Sequence, residues 1–223
     1  MRIPTIPQFA LALLFAALPQ RVSAQFTTYT TLASFLAATT KAGTDSFENL
    51  SLTASTPSPL ARNAGAFSYT VTVNTTSFVG SGSSADRWLS TNTATDIITF
   101  SGFGPGVRGI GGSFFGTGAS GAFSANTTIL LTARTASGMS TQTLLNTTLS
   151  TFLGFVASAD LLSLTVEAVQ PTGNTFAWPT VNDLVLANGA ASSVVPEPAT
   201  WMLLVNGLAG VVLLVTWRRS RRR

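Results

Sequence analysis

The chain has no cysteine and no histidine among its 223 residues. Without cysteine there can be no disulfide framework, no thiol nucleophile and no lipid attached through an N-terminal cysteine. Without histidine, the usual general base and the commonest transition-metal ligand are both missing. Ser-His-Asp and Cys-His catalysis are therefore excluded within this chain. Charge is scarce as well: Asp, Glu, Lys and Arg together make up 9% of the residues. Most of the positive charge sits at the two ends, with Arg2 and Arg21 near the start and Arg218, Arg219, Arg221, Arg222 and Arg223 closing the chain. Between residues 25 and 195, five basic groups face seven acidic ones, a net charge of −2. The formal +4 of the whole chain thus gives no reason to expect nucleic-acid binding. Carboxylate-pair hydrolysis and hard-cation sites remain compatible with the composition.

Both ends read as addresses rather than as parts of a fold. Arg2 precedes an apolar stretch from Phe9 to Leu18, and Val22, Ser23 and Ala24 then supply the small residues a signal peptidase accepts. About ten apolar residues are too few to span a hydrocarbon core of roughly 30 Å as a helix. Pro4, Pro7 and Pro19 bracket the run, and helix interiors exclude proline. The expectation is a cleaved secretory signal over residues 1–24, with cleavage after Ala24.

At the other end, residues 191–198 are small, polar and proline-flanked, as a linker would be. Residues 199–217 then carry no charge, and as a helix they would extend about 28 Å, close to the thickness of a bilayer core. Trp201 and Trp217 fall at the two ends of that span, where indole favours the headgroup region. The five arginines beyond it form a stop-transfer signal. By the positive-inside rule they stay in the cytoplasm and leave the body outside.

Pro196, Glu197 and Pro198, followed by one hydrophobic span and a short Arg-rich terminus, resemble the PEP-CTERM sorting signal of Gram-negative bacteria. All three parts stand in the family's order and at the chain's end. Residues 86–91, 111–117, 152–156 and 180–187 are similar, more loosely, to segments that recur in one group of these exported proteins. The resemblance implies that the tail is read by an exosortase, a multi-pass membrane protease-transpeptidase, after export through the Sec translocon. It also implies transient anchoring in the inner membrane and a final setting at the cell surface or in exopolysaccharide matrix and biofilm.

Residues 25–190 read as a single all-β domain. From 66 to 73 the pattern alternates: Phe67, Tyr69, Val71 and Val73 fall on one face, Ser68, Thr70 and Thr72 on the other. Period-two alternation of aromatic and β-branched residues marks a half-buried strand. Residues 96–100, 107–110, 128–133, 150–156 and 162–169 are further strands by the same criteria. Glycine-rich or polar segments at 80–86, 102–106, 116–121 and 171–174 supply the turns between them. The one helix expected lies at 32–42, where Leu32, Phe35 and Leu36 share a face. Short strands separated by turns predict an antiparallel, jelly-roll-like β-sandwich.

Within that domain, no catalytic residues, cofactor or resident metal are expected. Asp183, with Asn182, Asp86 and Asp96, offers oxygens of the kind calcium takes, but no D-x-[DN]-x-[DN]-G loop is present. The glycine-rich stretch 102–112 lacks the Lys-Ser/Thr ending of a phosphate loop. Arg87 is expected to pair with Asp86 or another acid. Trp88, Trp178 and Tyr69, with Phe176, are candidates for a sugar-stacking face, although aromatics of an all-β protein more often fill its core. The reading is thus a non-enzymatic structural protein of the exported matrix. The alternative is a carbohydrate-binding module acting on exopolysaccharide.

Overall fold

A computed structural model describes residues 25–75, 77–173 and 176–189. The signal with its cleavage site at Ala24, the linker with Pro196, Glu197 and Pro198, the apolar span 199–217 and the terminal arginines all lie outside the described residues. Among the described residues, no helix is long and apolar enough to cross a membrane.

The described chain is nearly all β and almost wholly antiparallel in its pairing. Its elements are β1 (Phe26–Tyr29), α1 (Leu32–Ala37), β2 (Thr39–Asp45), β3 (Thr56–Pro57), β4 (Leu60–Ala64), β5 (Phe67–Val73), β6 (Ser77–Gly82), β7 (Arg87–Thr91), β8 (Ile97–Ser101) and β9 (Val107–Thr117). They continue with β10 (Phe123–Ser124), β11 (Thr128–Thr135), β12 (Gly138–Leu144), β13 (Phe152–Ala157), β14 (Leu161–Val169) and β15 (Trp178–Gly189). One sheet runs β1-β13-β9-β15-β7-β6-β3, with β2 also on β15 and β10 on β9; the other runs β12-β11-β14-β8-β5-β4. Their facing sides share one apolar core, to which Phe114, Val181 and Leu186 contribute from the first sheet and Phe100, Leu131 and Val166 from the second. The arrangement is sandwich-like.

The second sheet follows the alternation of its sequence. In β5, Tyr69, Val71 and Val73 point into the core, and in β14 Leu164, Val166 and Ala168 do the same. Its outer face carries the hydroxyls. Thr141, Thr132, Thr165, Thr99 and Thr72 stand side by side on five successive strands, β12 through β5. A β-branched side chain with a hydrated hydroxyl suits such a pleated, solvent-facing row.

The centre of the first sheet, β9 and β15, is covered on both sides, which hides these strands from a simple period-two reading. In β15 and β9 most residues on both faces are buried. The expected strand at 107–110 therefore runs on to Thr117, through Gly111, Gly112 and Gly116. Two of these glycines have a packing reason. A Cβ at Gly111 would strike the Phe152 ring, and one at Gly116 would strike Thr127.

The helix is shorter than the pattern at 32–42 suggests. Thr31 caps it by accepting from the Ser34 backbone N–H, and it stops at Ala37. The β-branched pair Thr39 and Thr40 then favours extended backbone, and 39–45 becomes β2, paired with β15. Thr39 Oγ1 donates to the Phe35 carbonyl, which also accepts from the Ala38 backbone N–H, so the helix end is closed by both. The helix delivers Phe35, which is fully buried on the outer face of the first sheet with Val185 and Ala187. Gly154 makes that possible, since a Cβ there would collide with the Phe35 ring.

The two sheets are also joined by a buried polar cluster. Asp45, at the end of β2, accepts from Arg62 Nε at 2.6 Å and Arg62 Nη2 at 2.6 Å. The same carboxylate accepts from the Tyr69 hydroxyl at 2.7 Å and the Phe47 backbone N–H at 3.0 Å. Arg62 lies over the Phe47 ring, 5.0 Å from its centroid, and also donates to Asn49. Burial, and then the adjacent Asp45 carboxylate, push the Tyr69 phenol above its ordinary value, so it remains a donor.

Candidate functional site

Tyr69, Trp88 and Trp178 do not form one face. Tyr69 is 2% exposed and belongs to the core between the sheets, its hydroxyl spent on Asp45. Trp88 is 7% exposed and packs edge-on against Phe115, with centroids 4.9 Å apart. Phe115 in turn meets Phe123 of β10, so these rings fill the covered outer side of the first sheet. Neither presents a surface for a sugar: Tyr69 faces the core from the second sheet, and Trp88 lies under the covering on the outer side of the first.

Trp178 is different. It opens β15 and is only half-buried, and it sits edge-to-face with Phe176, which is 56% exposed. The two ring centroids are 6.4 Å apart with the planes inclined at 73°. Trp178 walls a recess of about 220 Å³ on one side and a second of about 310 Å³ on the other, and both are also bounded by Asn92. Phe176 separates the second recess from a third of about 390 Å³ reaching Asn126 and Gln170.

Strand register explains why these groups meet. Thr180 of β15 stands opposite Ser90 of β7, and Trp178 opposite Thr117 of β9. The same face therefore carries Ser90, Thr117 and Thr180, all at 1% exposure or less. Their hydroxyls form a closed triangle with edges of 3.3, 2.9 and 3.0 Å. Ser90 and Thr117 line the first recess behind Trp178. Among the described residues, none that lines the first two recesses is ionisable.

The acidic residues fall into separate places. Asp183 sits in the middle of β15, at a bulge between Asn182 and Val185, with a left-handed φ of 50°. Asn182 Nδ2 donates to Asp86 at 3.1 Å, and Asn182 Oδ1 accepts from the Asp183 backbone N–H at 2.9 Å. Partial burial, then the negative charges of Asp86 and Glu48, hold the Asp183 carboxyl above its ordinary value. Asp96 belongs elsewhere: it is buried and accepts from Thr75 at 2.6 Å. Among the described residues, no group of three acidic side chains is arranged to hold a metal ion. Arg87 does not pair with Asp86. Its guanidinium donates to the backbone carbonyls of Glu48 and Leu50 and so ties the 46–50 turn to β7.

Fold and site together define an antiparallel, sandwich-like β protein with an uncharged aromatic groove at the start of β15. No family model, no curated protein and no solved structure matches the chain. Sequence reasoning named Trp178 and Phe176, two residues apart and so on one side of an extended chain. Asn92 and the hydroxyl triangle had no local signal, because they join the site only through the pairing of β15 with β7 and β9.

Proposed function

We propose that the chain is an exported protein of the cell surface or extracellular matrix, processed by an exosortase at its C-terminal tail. In this reading the N-terminal signal directs export through the Sec translocon, and the 199–217 span holds the chain in the inner membrane with its body in the periplasm. The arginines fix that orientation, and Pro196, Glu197 and Pro198 present an extended recognition segment just outside the bilayer. The body, a jelly-roll-like sandwich, then serves as a structural or adhesive component rather than an enzyme. The observation that carries the reading is the three-part tail of the sequence.

Expressing the full chain in strains with and without an exosortase, and reading the mature termini by mass spectrometry, tests it. The expected result is loss of the span and arginines only where the exosortase is present. An identical full-length, membrane-bound product in both strains would sink the proposal.

A second reading, a carbohydrate-binding module, is favoured by the half-exposed Trp178 and exposed Phe176 beside a recess with no ionisable group among the described residues lining it. It concerns what the body touches and is compatible with the first.

A further inference from the structure

We propose that the groove around Trp178 binds a neutral glycan whose successive sugar residues are turned relative to one another, and not a flat, ribbon-like one. The inference rests on the carbohydrate-binding reading and is independent of how the chain is sorted.

The aromatic pair supplies the apolar half of the site. A pyranose ring has a face of C–H groups, and such faces stack on indole and phenyl rings while the hydroxyls at the rim seek hydrogen bonds. Trp178 and Phe176 are far enough out to be stacked upon, unlike the buried aromatics of the chain. Each recess beside Trp178 is several water volumes in size, taking about 30 Å³ per water, enough for about one sugar residue.

The polar half fixes the class of ligand. With no ionisable side chain among the described residues lining the two recesses, a uronate or sulfated sugar would meet no cation from them. Burying its charge beside the aromatic pair without a partner would be costly. The hydroxyl triangle leaves no unpaired donor for a ligand to meet. Each hydroxyl owns one proton, and all three can be placed within the protein: Ser90 donates to the Pro179 carbonyl, Thr180 to Ser90 Oγ and Thr117 to Thr180 Oγ1. The floor of the first recess is thus satisfied within the protein, and the polar groups open to a sugar's hydroxyls are those of the exposed Asn92 and Ser120.

The angle between the rings selects among neutral glycans. In a β-1,4-linked ribbon, successive sugar planes are nearly parallel, so both could stack only on coplanar rings. The Phe176 and Trp178 planes are inclined at 73°. Two neighbouring sugars can lie on both only if the linkage turns one against the other, as in β-1,3- or α-1,4-glucans.

Affinity electrophoresis of the full 223-residue chain tests this. The protein is kept in a polyoxyethylene detergent, because a sugar-headed one would compete. The gels contain a soluble β-1,3-glucan, soluble amylose, hydroxyethyl cellulose as the β-1,4 ribbon, or alginate as a charged polymer. The expected result is retardation by the β-1,3-glucan or amylose, at least tenfold stronger than by hydroxyethyl cellulose or alginate. Trp178→Ala should weaken it tenfold or more, and Phe176→Ala threefold or more. Phe176→Ala removes an exposed ring outside any strand, so it reads the site even if Trp178→Ala impairs folding. Met139→Ala, exposed on β12 of the other sheet, should change nothing. Equal or stronger retardation by hydroxyethyl cellulose or alginate would overturn the inference. So would retardation that survives both aromatic substitutions, although carbohydrate binding itself would then stand. No retardation by any polymer would overturn both.

Discussion

Replacing Asp45 with alanine should be among the most destabilising single changes in the domain. Asp45 is 6% exposed and accepts four hydrogen bonds, two from Arg62 and one each from Tyr69 and Phe47. The Arg62 side chain is itself only 9% exposed. Removing the carboxylate therefore strands a largely buried guanidinium, a buried phenol O–H and a backbone N–H together. Breaking a buried pair by deleting one partner typically costs about 3–5 kcal/mol, because the remaining charge is left uncompensated. Arg62 keeps Asn49 and the Phe47 ring, which places the expected loss near the lower end, about 3 kcal/mol.

If the penalty comes from the orphaned partners, removing them as well should restore most of it. The triple variant Asp45→Leu, Arg62→Met, Tyr69→Phe is expected within about 1.5 kcal/mol of the parent, as apolar replacement of a buried pair often is. Urea unfolding of the full chain in the same polyoxyethylene detergent, followed by near-ultraviolet circular dichroism, measures both. A loss below about 1 kcal/mol for Asp45→Ala, or a triple variant as unstable as the single one, would overturn this account of the cluster.

Gly154→Ala should cost about 1–3 kcal/mol, since the new Cβ forces the fully buried Phe35 ring out of its seat on β13, and a midpoint unchanged in urea would contradict that packing. Asp183→Asn should stabilise the protein at neutral pH by about 0.5 kcal/mol, a modest figure because the side chain is only partly covered and solvent screens it. The sign follows from its raised folded-state value: between the unfolded and folded values the native state binds the extra proton, so stability falls as pH rises through that window. The gain from Asp183→Asn should accordingly vanish in acid, below the unfolded carboxyl value, and asparagine tolerates the left-handed backbone there. A gain that persists undiminished at low pH would point to backbone rather than charge.

Much of the second sheet was legible in the sequence, and of the first only the strands at 107–110 and 150–156, for one physical reason. A sheet with one wet face writes its orientation into alternate residues, as 67–73 and 161–169 do. A sheet buried on both faces has no alternation to write. Residues 178–189 are buried at most positions on both faces, and 107–117 carry glycines where neighbouring rings and loops press on the strand. Those glycines look like turns in one dimension. The same two-sided burial removed Trp88 from the candidate surface, since Phe115 and Phe123 enclose it.

The groove is where that second buried layer ends. Along the outer side of the first sheet, Phe35 fills one region and Trp88 with Phe115 and Phe123 another. At the start of β15, the covering thins and leaves Trp178 half-open with the hydroxyl triangle beneath it. Satisfying those hydroxyls against each other lets them be buried without water, which costs far less than leaving them unpaired. An aromatic wall and a pre-satisfied polar floor are then already in place before any ligand arrives. Little side-chain ordering remains to be done on binding, so the site's selectivity falls on shape and on the absence of charge.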